Sequence, residues 1–199
     1  MTDAADSDDS QSAVADEDDP REAVVLDYLP TGLPDEQRSN TPVAYALGVD
    51  EFDLYLVRFE GDTDLNVGDR VATDPRGDKV SRVGHVDFGE LSGAAESELE
   101  YAVAAIVDEE ERRFVDFFNE AQAITTRLHA LNLLPGIGKK LRNNVLDLRK
   151  RQPFESFEDL EERVSGLHDP RQVLIDRIVE EIREDDMKYR IFATRDRGE

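Results

Sequence analysis

Leu133-Leu134-Pro135-Gly136-Ile137-Gly138-Lys139-Lys140 is the most informative stretch of this 199-residue chain. Pro135 and Gly136 end any helix that reaches them, and an amphipathic helix is expected to restart at about Lys139 and run to Lys150. Gly136 and Gly138 permit positive φ and close approach of another backbone, which side chains would obstruct. Ile137 between them is placed to tuck into the helix pair and lock the link. The unpaired N–H groups opening the second helix then face outward as an anion site, with Lys139 and Lys140 adding charge beside it. A unit of this kind holds sugar-phosphate through backbone amides and reads almost no sequence. The plain alternative is a tight helix–helix turn that binds nothing.

The charge around this stretch is as unusual as its glycines. The chain carries 47 Asp and Glu against 24 Lys and Arg, net −23. Between residues 121 and 154 the sign reverses: Arg127, Lys139, Lys140, Arg142, Arg149, Lys150 and Arg151 face only Asp147, net +6. The segment resembles a helix-hairpin-helix motif. That resemblance implies contact with a nucleic-acid backbone, and in members of that group the hairpin carbonyls sometimes also hold a monovalent cation. The residues expected at the interface are Gly136, Ile137, Gly138, Lys139, Lys140, Arg142, Arg149 and Lys150. Arg142 departs from the family pattern, which often has a small residue there for close helix packing; here it either alters the helix contact or faces the ligand. The competing expectation for the island is a basic stripe neutralised by acidic helices packed beside it.

Downstream, a degenerate second copy is expected to be structural. Ser156 with Asp159 reads as a capping box opening a short helix over 157–164, and Ser165-Gly166-Leu167-His168 makes the link. Asp169, Pro170 and Gln172 then supply an N-cap, an N1 proline and an N3 partner for a helix to about Glu184. Upstream, Leu99, Val103, Ile106 and Val107 recur at helical spacing. Asp108 with Glu111 reads as a capping box for a second helix, carrying Phe114, Phe117, Phe118, Ala121, Ile124, Leu128 and Leu131 on one face and ending near Asn132.

The first half has a different period. Residues 24–29, 43–49, 52–60, 70–73 and 80–88 read as five short strands, with Asp50-Glu51 connecting the second to the third. Strands at this spacing suit a small barrel, OB-like or SH3-like. Tyr45, Tyr55, Phe59 and Phe88 either stack bases or, as is commoner at such positions, pack the core. The fold class expected is α+β. A disordered tail over residues 1–19, with eight acids and no base, precedes a small OB-like β-barrel over 20–93. An α-helical helix-hairpin-helix domain follows over 94–186, with its hairpin at 133–140, and Lys188–Thr194 forms a strand within a C-terminal segment 187–195 that returns to the barrel.

Composition excludes several classes. No apolar run approaches the ~18 residues of a membrane span, and no basic-then-apolar leader opens the chain, so an intracellular, cytoplasmic protein is expected. Without cysteine there is no disulfide framework, thiolate zinc site or cysteine nucleophile, and His85, His129 and His168 are too scattered for a metal cluster; no cofactor or metal is expected. A P-loop is absent because Lys140 follows Gly138-Lys139 where Ser or Thr is needed, and neither HExxH nor a serine elbow occurs. Acidity ordinarily repels nucleic acid. Frequent Asp, five Lys and no Cys are, however, similar to the bias of salt-in haloarchaea. In multimolar salt a Debye length of ~3 Å or less removes most of that repulsion.

Over roughly residues 20–195 the chain resembles an uncharacterised archaeal family, DUF655, built from an OB-like domain and a helix-hairpin-helix domain. The blocks that carry this are 117–128 (FFNEAQAITTRL), 131–140 (LNLLPGIGKK), 153–164 (PFESFEDLEERV) and 189–192 (YRIF). The resemblance implies that fold and nucleotide or nucleic-acid binding, with no established reaction. The expected function is non-catalytic nucleic-acid binding. RNA is favoured over DNA by analogy with OB-like barrels joined to such modules in translation and RNA processing. The alternatives are an adaptor whose acidic faces take basic partners such as ribosomal proteins, and a DNA-binding, repair-type protein. A glycosylase would need a catalytic Asp beyond the hairpin and a pocket for an extruded base; Asp169 has the position but is better explained as an N-cap.

Overall fold

β1 (Arg21–Leu29) is the pivot of the sheet in the computed structural model, which describes residues 20–34 and 40–193. It pairs antiparallel with β2 (Val43–Gly48) and with β4 (Arg70–Asp74). β2 pairs with β3 (Leu54–Phe59) and β3 with β5 (Val80–His85), giving the order β4-β1-β2-β3-β5. The tail expected over residues 1–19 lies outside the described residues.

β4 and β5 stand at opposite ends of this order yet are joined by residues 75–79 alone. In a flat sheet they would lie about 19 Å apart, at ~4.8 Å per strand step. The sheet curls instead into a half-barrel. Gly77 N–H donates to Ala72 O at 3.1 Å, and a Cβ on Gly77 would touch both Ala72 and Val80 at 3.8 Å. Alternation then sorts the side chains. Ala23, Val25, Ala44, Ala46, Val57, Phe59 and Val71 fill the inside of the curl, with alanines where the space is tightest. Val24, Leu26, Tyr45, Leu47 and Leu54 face the other way and join the helices in one apolar core. The division near residue 93 is therefore a change of secondary structure, and the core is continuous across it.

The link between β2 and β3 is longer than the two residues expected. Leu47 pairs with Leu54, and Phe52 leaves the strand with φ +55, 1% exposed. Its ring packs on Phe114, 6.2 Å between centroids, under the Arg113 guanidinium. Arg113 also donates to Val49 O at 3.0 Å and to Asp50 O. A bulky residue at positive φ carries strain of about 1–2 kcal/mol, offset here by burial of the whole ring between sheet and helices.

α1 (Gly93–Glu109) starts at Ser92, whose hydroxyl accepts from Ala95 N–H and donates to Asp27 at 2.5 Å, tying the helix start to β1. α2 (Glu111–Glu120) differs from expectation at both ends. Its N-cap is Glu110 with no side-chain cap, because Asp108 pairs with Arg171 and Glu111 accepts from Phe157 N–H at 2.8 Å. It stops at Glu120, not near Asn132. Ile124-Thr125-Thr126 are β-branched and disfavour helix. The Thr125 hydroxyl accepts from the Arg127 and Leu128 amides, closing a turn that competes with it. Ile124, 41% exposed, is accordingly not on a buried helix face.

A single 3-10 turn (Ala130–Leu133) leads to α3 (Lys139–Arg149), followed by α4 (Phe157–Arg163) and α5 (Pro170–Arg183). Ser156 accepts from Asp159 N–H at 3.1 Å and Asp169 from Gln172 N–H at 2.9 Å, as the cap chemistry requires. The Gln172 side chain turns to Asp176 rather than back to the cap. Residues 188–193 form no strand and do not return to the barrel. The Ile191, Phe192 and Ala193 amides donate to the fully buried Glu181 carboxylate, and Phe192 packs on Phe114 and Phe117. Among the described residues no helix is long and apolar enough to cross a membrane.

Candidate functional site

α3 opens unlike its neighbours. Its N-cap is Gly138, with no side chain to satisfy the first amides, and its first turn holds Lys139 and Lys140 with no acid. α1 and α4 have serine caps and acids in the first turn, and α5 has Asp169 as its cap. Cations at a helix N-terminus oppose the dipole, a cost of about 0.3–1 kcal/mol each that a bound anion would reverse.

The glycines divide their roles. Gly136 has φ +76 and needs glycine's freedom, whereas Gly138, at φ −80 and ψ 179, is in extended backbone that any residue adopts. A Cβ at either would meet nothing within 4 Å, so the space before the α3 amides is open. Ile137, 4% exposed, does tuck inward. The link is braced from within. Ile137 N–H donates to Leu134 O at 3.2 Å and Gly138 N–H to Gly136 O at 3.2 Å, while Asn132 Nδ2 donates to Ile137 O at 2.9 Å. The same Asn132 accepts from Arg142 Nη1 at 2.9 Å, so Arg142 is aimed across the hairpin. The three hairpin carbonyls at Leu134, Gly136 and Ile137 thus already accept internal bonds.

Sequence reasoning overlooked Asn132 and His129, and it did not anticipate the contact that Arg149 makes. Arg149 Nη1 donates to Phe118 O at 2.9 Å, in the last turn of α2, and burial lowers its pKa from the ordinary value. It braces α3 against α2, with its side chain half-buried. His129 Nδ1 accepts from Leu131 N–H at 3.2 Å. Burial first, then the Arg149 and Arg142 guanidiniums, push the imidazole below its usual value. Arg142 and Arg149 are seven residues apart on one face of α3, with His129 near both. Lys150 and Arg151 are exposed but lie at the other end of α3, about 16 Å from Lys139 at 1.5 Å per residue. The structure therefore gathers Gly136, Gly138, Lys139, Lys140 and Arg142 at one end, and leaves Lys150 apart.

The expectation that acidic helices neutralise the island is not met. Among the described residues, Arg70, Arg112, Arg113, Arg163, Arg171 and Arg177 all form ion pairs. Arg127, Lys139, Lys140, Arg142, Arg149, Lys150 and Arg151 form none with a described partner. Of the barrel aromatics, Tyr45 and Phe59 are buried and cannot stack a base. Tyr55, half-buried, lies against the His85 ring at 4.8 Å, with its hydroxyl pushed up to about 12 by burial. Phe88 sits beneath the Arg183 guanidinium.

The two helix links share a local geometry. Leu134-Pro135-Gly136-Ile137 and Val164-Ser165-Gly166-Leu167 each place a positive-φ glycine third and a buried residue fourth. Each also closes with an N–H to O bond from the fourth residue to the first, at 3.2 and 3.0 Å. The difference lies upstream: the first link is preceded by one 3-10 turn, the second by α4.

Three comparisons bear on what the chain is similar to. The family described as "Protein of unknown function (DUF655)" matches residues 19–194. The uncharacterised protein MJ0038 of Methanocaldococcus jannaschii is 38% identical over 179 residues, covering 88% of this chain and 81% of that protein. The crystal structure of Af1531 from Archaeoglobus fulgidus, itself assigned to that family, aligns with a TM-score of 0.77 at 38% identity, over 87% of this chain and 99% of that one. With a match across nearly all its length and relatives in two archaea, this chain belongs to the DUF655 family.

Proposed function

We propose that this protein is a non-catalytic, cytoplasmic nucleic-acid-binding protein, RNA favoured over DNA, that grips backbone phosphate at the N-terminus of α3. The observation that carries this reading is a set of cations with no carboxylate partner among the described residues, Lys139 and Lys140 exposed and Arg142 held by the Asn132 and Asn143 side-chain oxygens, around a helix start without a side-chain cap whose glycines leave the approach open. In a chain with 47 acids, cations left without carboxylate partners point to an anion from elsewhere. The amides supply directional donors and the side chains supply charge, so the contact tracks a backbone without reading bases. We read the paired links at 134–137 and 164–167 as a helix-hairpin-helix pair with a shortened first helix. We read the curled sheet as OB-like, because β1 pairs with both β2 and β4 while β3 pairs with β5 rather than β4. The acid-rich remainder fits a protein working in high salt, where its charge is screened.

The test is fluorescence anisotropy with labelled single-stranded RNA, single-stranded DNA and duplexes of each, using the full chain and a variant carrying Gly138→Asp. An aspartate there caps the amides and places a carboxylate where phosphate would sit. Helix stability is expected to hold or rise by about 0.3 kcal/mol, since Asp is a slightly better N-cap than Gly, while binding falls at least tenfold. Equal binding by the variant, or no binding by the wild type to any of the four probes, overturns the reading.

A further inference from the structure

We propose that the groove between α1 and the β1–β4 edge receives an arginine side chain, with an apolar neighbour, from a protein partner. The groove encloses about 210 Å³ and is distinct from the hairpin. Its apolar walls are left open: Tyr101 is 73% and Val67 51% exposed, two of the three large hydrophobic side chains that stand out among the described residues. Glu98, Ala102, Ala105 and Glu109 line up along one side of α1 at helical spacing, so small residues form the floor and a carboxylate stands at either end.

The charge sets the chemistry of the occupant. The one cation in the groove, Arg70, is already held by Glu22 at 3.0 Å and by Glu109. Glu98 is only half-exposed and has no described partner, and Glu109 keeps 58% of its side chain exposed. A phosphate-bearing ligand would face both Glu98 and Glu109, with Arg70 already paired. The volume is also below the roughly 300–1,000 Å³ usual for a small-molecule site, and suits one long side chain. Arginine matches each wall: its planar guanidinium forks onto a carboxylate and stacks on the Tyr101 ring, while its aliphatic stem lies over Ala102, Ala105 and Val67. This reading does not rest on nucleic-acid binding at the hairpin.

The test follows the amide resonances of the 15N-labelled full chain during titration with a blocked peptide containing two arginines around one leucine. A twin peptide has citrulline, neutral and of the same shape, in place of arginine. Working in about 1 M KCl, with a Debye length of ~3 Å, removes diffuse attraction to the acidic surface. The expected result is saturable shifts centred on Val67, Gly68, Tyr101 and Ala102, about tenfold weaker for the citrulline peptide. Tyr101→Ala and Glu98→Gln should each weaken binding several-fold. Both side chains reach solvent, and unchanged resonances elsewhere confirm the fold. Lys139→Gln/Lys140→Gln should bind the peptide as wild type does. Equal affinity for both peptides, shifts scattered over the acidic surface, indifference to Tyr101→Ala, or the same resonances moving with RNA instead would each overturn the proposal.

Discussion

Replacing Lys139 and Lys140 with glutamine isolates the charge at the hairpin while leaving its backbone alone. Both side chains are exposed and neither pairs with a described residue, so the fold should not suffer. Removing two cations from a helix first turn should stabilise by about 0.6–2 kcal/mol. Lys139, Lys140 and Arg142 are the three cations grouped at this end. At ~0.7 counterions released per phosphate on a single strand, they predict a slope of log K against log salt of about −2. The double variant keeps Arg142 alone, for a slope of about −0.7. Between about 0.1 and 1 M KCl the wild type should lose roughly a hundredfold in affinity and the variant about fivefold, so the two converge in strong salt, where the amide contacts remain. Anisotropy with a labelled single-stranded RNA across that range measures both slopes. An unchanged slope in the variant would place the contact elsewhere, and a wild-type slope steeper than about −5, the value for all seven basic side chains of the island, would mean that cations outside it bind phosphate.

Three further outcomes follow from the packing. Glu181→Ala should cost about 3–5 kcal/mol, because it leaves three backbone amides without their acceptor and takes from the buried Arg177 guanidinium one of its two carboxylate partners, Glu180 remaining; a urea midpoint close to wild type would refute the clamp. The Arg171 guanidinium, by hydrogen bond, holds the Asp108 carboxyl below its ordinary value. That contribution is present above the unfolded carboxylate pKa and lost as pH falls through the lower folded one. The stability gap between wild type and Asp108→Asn should thus be flat above about pH 5 and close below about pH 4. His129 should titrate below about 6.5 in an NMR series, and bound RNA should move its midpoint upward as phosphate offsets the arginines; a midpoint that RNA leaves in place would remove His129 from the interface.

Much of this was legible in local sequence. The five strands announced themselves through alternation, and the starts of α4 and α5 through Ser156 and Asp169, because a cap is made by atoms three residues apart. The core of the candidate site was legible for the same reason: Gly136, Gly138, Lys139 and Lys140 are contiguous. Residues 121–132 misled because Ala121, Ile124, Leu128 and Leu131 keep helical spacing, whereas the Thr125 turn that breaks the helix is a side-chain hydrogen bond that periodicity does not register. Asn132 reads as one polar residue in an apolar run until Ile137 and Arg142 close on it.

The amino-acid order alone settled the change from period two to period 3.6, the Ser156 and Asp169 caps, and the one basic island in an acidic chain. Only the tertiary structure decided which members of that island face outward. Arg149 and Lys140 carry the same charge, but Arg149 meets the Phe118 carbonyl 31 residues away and braces α3 on α2, while Lys140 is exposed and pairs with no described residue. It likewise turned Tyr189–Ala193 from an apparent strand into a strap on Glu181, and Phe52 from a strand residue into a plug between sheet and helices. The physical reason is common to all three. A side chain's partner across the core contributes more than its local preference, and that partner is brought near only when the chain has folded.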